Sequence, residues 1–146
     1  MSKCMVRMLS LFGLAILVLA GPNLAQSGAS VTAEIPFAFD VGNAHLDAGN
    51  YMVDEYVSRR GILEVKSIHG SGTAFVMAGQ FEDNPGSSGK SRLVFNKYGD
   101  QYFLSQVWME DGTLGCKLAA SKREKEVMNT ATAGNRAHEV VQVAAR

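Results

Sequence analysis

From Val31 onward the chain alternates apolar and polar side chains with a period of two. Val31, Ala33, Ile35, Phe37, Phe39 and Val41 fall on one side, with Thr32, Glu34, Ala38 and Asp40 on the other. That is the pattern of a half-buried strand. Pro36 lies on the polar side and lacks an N–H, which argues for an edge strand or a bulge there. Turn formers then recur every few residues. Gly42-Asn43 and Asp47-Ala48-Gly49-Asn50 bracket a short piece, Ala44 to Leu46, before a strand over Tyr51 to Val57. After Ser58-Arg59-Arg60-Gly61, Ile62 to Ser67 read as a strand with Leu63 and Val65 inward and Glu64 and Lys66 outward. His69-Gly70-Ser71-Gly72 leads to a further strand, Thr73 to Ala78.

The stretch from Ser91 to Trp108 predicts the central hairpin, folded over Gly99-Asp100. A two-residue Gly-Asp loop suits a type II′ turn, in which glycine takes the positive φ that a Cβ disfavours. That turn pairs Tyr98 with Gln101, Lys97 with Tyr102, Phe95 with Leu104, Leu93 with Gln106 and Ser91 with Trp108. Leu93, Phe95, Tyr102, Leu104 and Trp108 then share a core face. The opposite face mixes Val94, Tyr98, Phe103 and Val107 with Arg92, Asn96, Gln101 and Ser105, and is apolar enough to need partial cover. Its aromatics are first of all packing groups. Tyr98, Phe103 and Trp108 are the ligand-binding candidates of the chain, as an aromatic platform.

Glu82 to Lys90 is dense in turn formers and predicts the longest loop. Gly89-Lys90-Ser91 imitates the end of a phosphate-binding loop, but Asn84 stands where that motif needs glycine, and a strand rather than a helix is expected to follow. After Glu110-Asp111-Gly112, a last strand is expected over Gly115 to Ala119. Ser121-Lys122-Arg123-Glu124 forms a capping box, with the Ser hydroxyl accepting from the backbone three residues on and Glu124 reaching back. A helix of about two turns follows, opposed at its start by Lys122 and Arg123. Residues 130–146 read as a loosely held tail.

The amino terminus departs from this pattern. Lys3 and Arg7 precede an apolar run from Met8 to Ala20, and Gly21-Pro22 follows. Thirteen residues are short of the ~20 that span a bilayer but match an export signal. Residues 1–27 are therefore read as a signal peptide, with cleavage after Ala25, Ser27 or Ala29. Residues 28–129 are the β domain. Removing residues 1–27 leaves 119 residues, enough for one domain, with 12 basic against 14 acidic side chains. No basic excess points to nucleic acid.

Cys4 leaves with the signal and Cys116 remains alone, so no intrachain disulfide forms; Cys116 reads as a small buried hydrophobe. His45, His69 and His138 are widely spaced and form no metal motif. His45 and Asp47 are the close histidine–carboxylate pair, read as locally hydrogen-bonded turn residues before a general base. Glu82-Asp83 and Glu110-Asp111 are solvated turns rather than a calcium loop. Ser105 stands in a strand and not in a nucleophile elbow. No catalytic residue, metal or cofactor is assigned.

Ile35-Pro36-Phe37-Ala38-Phe39-Asp40-Val41-Gly42, with Leu46-Asp47-Ala48-Gly49-Asn50-Tyr51-Met52-Val53 and the Leu93 to Trp108 segment, resembles an uncharacterised family of secreted bacterial proteins. The resemblance spans most of the chain after residue 27, leaves out the tail after Gly134, and implies no activity or ligand. Met109-Glu110 departs from it, standing where a small polar residue is expected.

The fold expected is all-β, an antiparallel meander of about seven or eight strands forming a small barrel or two-layer sandwich, with one short C-terminal helix. The function expected is that of a secreted or periplasmic non-enzymatic protein contacting an envelope or extracellular component through its surface. A β-barrel carrier of a small apolar ligand is the alternative, and a hydrolase the second alternative.

Overall fold

The computed structural model describes residues 30–55, 61–83, 89–109, 114–134 and 138–146. The expected signal peptide with its three expected cleavage positions, and much of the Glu82–Lys90 loop, lie outside them. The described chain forms β1 (Ser30–Ile35), β2 (Phe39–Val41), β3 (Ala44–Leu46), β4 (Gly49–Glu55), β5 (Ile62–Ser67) and β6 (Thr73–Asp83). These are followed by β7 (Arg92–Tyr98), β8 (Gln101–Met109), β9 (Leu114–Leu118), α1 (Lys122–Ala133) and β10 (His138–Ala144).

The all-β expectation holds, with ten described strands instead of seven or eight. Their order is β1-β4-β5-β6-β9-β8-β2-β3, and β7 pairs with both β8 and β10. Every ladder is antiparallel except the parallel contact of β2 with β8 at Asp40↔Phe103. β6 is shared by the two layers: Thr73 to Met77 pair with β5, whereas Ala78 to Asp83 pair with β9 across a register shift. Gly79 lies in that shift, where a Cβ would stand 2.7 Å from the Lys117 carbonyl oxygen. A bare backbone lets the strands approach.

β1 and β10 meet at the single bridge Ala33↔Ala145. Beside it, Thr32 N–H donates to Arg146 O at 2.7 Å and Arg146 N–H to Thr32 O at 2.9 Å. The sheet does not close there, so the fold is sandwich-like and the barrel expectation is corrected.

One strand was expected from Val31 to Val41. The chain instead bends at Pro36 to Ala38, sending β1 to β4 in one layer and β2 to β8 in the other. The inward alternation survives the corner, since Val31, Ala33, Ile35, Phe39 and Val41 are all buried. Between the layers, Phe39 and Phe95 meet edge-to-face at 5.4 Å, and Phe37 stacks on Tyr102 at 3.9 Å. Ile35, Leu63, Leu93, Val53, Val65 and Val107 complete this interior. Each such side chain stabilises the fold by about 1.5–3 kcal/mol relative to exposure.

The hairpin turns at Gly99, with φ +62°, and pairs Tyr98↔Gln101, Lys97↔Tyr102 and Phe95↔Leu104 as expected. Beyond that the register shifts, giving Val94↔Gln106, Leu93↔Val107 and Arg92↔Trp108. Ser105 is the extra residue, and its hydroxyl donates to Val94 O at 3.0 Å. A bulge of one residue exchanges the faces of everything after it. Val107 therefore turns into the core, and Trp108 joins Tyr98 and Phe103 on the opposite face, which corrects the expected core face.

That face is partly covered by α1, whose Ala131 and Val127 pack on Tyr98 and Phe103. The helix has three turns, not two, and is capped by Ser121, whose hydroxyl accepts from Glu124 N–H at 3.1 Å. The Glu124 side chain does not reach back to Ser121; its Oε1 accepts from Asn96 Nδ2 at 2.8 Å. The expected loose tail is also corrected. His138 to Ala144 pair residue by residue with Tyr98 to Arg92 as β10, supplying the edge of β7 with a partner.

Candidate functional site

The three ligand candidates lie on one face of the hairpin, but none is open. The Trp108 indole packs against the bare Gly115 backbone and beneath the Arg92 guanidinium, whose carbon is 4.7 Å from the ring centroid. Its Nε1–H donates to Gln106 Oε1 at 3.0 Å. Tyr98 and Phe103, with centroids 6.0 Å apart, are buried under α1, and the His138 imidazole stacks on Tyr98 at 5.0 Å. Burial, and secondarily the charge of Glu124, raises the Tyr98 phenol above its ordinary pKa. What remains open beside them is a small cleft of about 190 Å³ lined by Tyr98, Gln101, Glu126, Val127, Thr130 and Ala131.

Polar groups tie the helix to the sheet. Asn96 links the buried Glu124 carboxylate to His138, with its Oδ1 3.2 Å from His138 Nε2. The Asp40 carboxylate, also buried, lies 2.9 Å from His45 Nδ1 and 3.7 Å from Arg123 Nε. The partner of His45 is thus Asp40 on the neighbouring strand and not Asp47. Sequence proximity misled here, because β2 and β3 pair antiparallel and place Asp40 directly across from His45.

His45 lines a polar cleft of about 500 Å³ between two turns, together with Asp47, Asn50, Ser67 and His69. A carboxylate that fixes an imidazole is half of a general-base arrangement, which also needs a hydroxyl or thiol within hydrogen-bond reach. Ser67 Oγ, on the cleft wall, is engaged by Gly70 N–H at 2.9 Å. Tyr51, on the same wall, donates its hydroxyl to Asp47 O at 2.7 Å, and burial raises its pKa. Among the described residues no three His, Cys, Asp or Glu side chains gather to hold a metal. Cys116 is buried, with burial raising its thiol pKa above the ordinary value, so it is placed as a packing residue.

A third cleft, of about 420 Å³, lies at the far end of the same hairpin face and is lined by Gly89, Lys90, Ser91, Arg92, Gln142 and Ala144. Gly89-Lys90-Ser91 leads into strand β7, not a helix, so the phosphate-loop imitation fails structurally as expected. The cleft itself was not legible, because its other wall is β10.

The outer face of β6 carries two exposed large apolar side chains, Phe75 at 56% and Met77 at 74%. Comparison with protein-family models, with curated proteins and with solved structures finds no match for the chain.

Proposed function

We propose that the protein is exported and works without catalysis, by contacting an envelope or extracellular component through its surface. The observation that carries this reading is the filled interior. Phe39, Phe95, Ile35, Leu63, Leu93 and Val107 occupy the space between the sheets that a carrier of an apolar ligand would keep open. Recognition is then left to the outside, where Phe75 and Met77 stand exposed on β6, and exposed apolar groups of this size favour association. The basic start and short apolar run before Gly21-Pro22 support export. The resemblance to secreted bacterial β-rich proteins agrees with it.

Sedimentation of purified residues 28–146 with cell envelopes tests the reading. Saturable binding that unlabelled protein competes away, and that Met77→Asp weakens without lowering the unfolding midpoint, is the expected result. Binding that never saturates, or none at all, overturns it.

A further inference from the structure

The hairpin end that carries Trp108 also gathers positive charge. Lys90 and Arg92 line the third cleft beside Ser91 and Gln142. The pairing of Ala144 with Arg92, and the bond from Ala145 N–H to Ser91 O, place Arg146 opposite Lys90. Three cationic side chains thus collect at one corner of a domain whose residues 28–146 are net acidic. Among the described residues none of the three is ion-paired: the ion pairs use Lys97, Arg123 and His45. Glu34, which the Ala33↔Ala145 bridge sets across from Ala144, makes no ion pair among the described residues, and neither does the α-carboxylate that Arg146 carries at the end of residues 28–146. Cationic side chains held close together repel one another, and an anion relieves that repulsion.

Arg92 is also held in place. Its guanidinium lies over the Trp108 ring, which is itself fixed by Gly115 and by the bond from Nε1 to Gln106. A guanidinium held over a ring face by its carbon still has N–H donors of its fork to offer a planar or tetrahedral oxyanion. Less rotamer freedom is then lost when the anion arrives.

We propose that the Lys90–Arg92–Arg146 corner is a binding site for a phosphoryl group, carried either by a lipid headgroup or by a soluble phosphorylated compound. Arg92 supplies the oriented fork, Lys90 and Arg146 supply flanking charge, and Ser91 and Gln142 line the cleft. The site deepens the surface-contact reading by naming what one part of the surface takes.

Trp108 is the single tryptophan of the chain, so its emission reports on the guanidinium above it. Residues 28–146 are titrated with inorganic phosphate and with sn-glycerol 3-phosphate at constant ionic strength, by fluorescence and by calorimetry. The same protein is mixed with phosphatidylcholine vesicles with and without phosphatidylglycerol. The expected result is saturable binding that sodium chloride does not reproduce. Lys90→Gln and Arg92→Lys should each weaken it about tenfold, the loss typical of one charge-assisted hydrogen bond. Glu34→Gln should bind at least as well as the wild type. Tighter binding to phosphatidylglycerol vesicles than to glycerol phosphate assigns the headgroup as the source, and the reverse assigns the soluble compound. No saturable binding by either readout, or equal binding by Lys90→Gln and Arg146→Gln, overturns the site. If the phosphate response is absent while envelope sedimentation persists, the site fails and the surface-contact reading stands; if sedimentation is lost while the phosphate response remains, the converse holds.

Discussion

Trp108 lies against Gly115, so closely that a Cβ on Gly115 would stand 2.6 Å from the indole Cε3 and closer still to Cζ3. The pair sits on neighbouring strands, Trp108↔Gly115, and fixes the ring on which Arg92 rests. Gly115→Ala should therefore destabilise the domain by about 1–3 kcal/mol through overpacking. Urea unfolding followed by circular dichroism measures this. Combined with Trp108→Leu the loss should be less than additive, because the clash then has no target. Full additivity would show that Gly115 matters for another reason.

The amino-terminal cap of α1 divides into two separable contributions. Ser121→Ala removes the acceptor for Glu124 N–H and should cost about 1 kcal/mol. Glu124→Ala leaves the Asn96 amide without its carboxylate and should cost about 1–3 kcal/mol. Urea midpoints compare the two. A Glu124→Ala variant as stable as wild type would show that the bond to Asn96 adds nothing.

β10 should behave as part of the domain. Its ladder with β7 runs from His138↔Tyr98 to Ala144↔Arg92, and Arg146 exchanges bonds with Thr32. Hydrogen exchange should show slow amides in residues 138–146. Deleting those residues should lower the melting temperature and promote association, since an unpaired edge of β7 is a template for another chain. Fast exchange throughout the segment would return it to a tail.

Alkaline pH should weaken the fold. Burial raises the pKa of the Cys116 thiol above 9.0 and those of the Tyr51 and Tyr98 phenols above 10.0. Because the folded values are raised, the unfolded chain loses these protons first. Stability is therefore unaffected below the unfolded values and falls as pH rises past them, from about pH 9 upward, until the folded groups ionise too. Cys116→Ala should flatten the first part of that fall in unfolding midpoints measured from pH 8 to 10. An unchanged slope would contradict the assignment.

Much of the layer structure is legible because burial on one face imposes period-two alternation, as in Ile62 to Ser67, whose bounds the structure reproduces. The hairpin register is legible as far as Phe95↔Leu104 because Gly99 fixes it locally. Three features are hidden because long-range contacts decide them. The Ser105 bulge leaves no turn signature and yet exchanges Val107 with Trp108 between faces. The corner at Pro36 to Ala38 keeps the alternation intact on both sides, so one strand and two strands look alike. β10 has little buried apolar surface, with Val140 exposed and Val141 and Val143 only partly covered, so its pairing with β7 is invisible to local pattern. At the candidate sites, Tyr98 and Phe103 were legible as neighbours on one face, whereas the Asp40–His45 pair and the Lys90–Arg92–Arg146 corner each need strand pairing to be seen.

The two sheets enclose a filled interior, and the proposed function rests on it. Fluorescence of 1-anilinonaphthalene-8-sulfonate with native residues 28–146 tests it most directly, with palmitate as competitor. With the interior filled, no saturable emission that palmitate displaces is expected until denaturant opens the fold. Native-state emission saturating at one dye per protein, and displaced by one equivalent of palmitate, would contradict it.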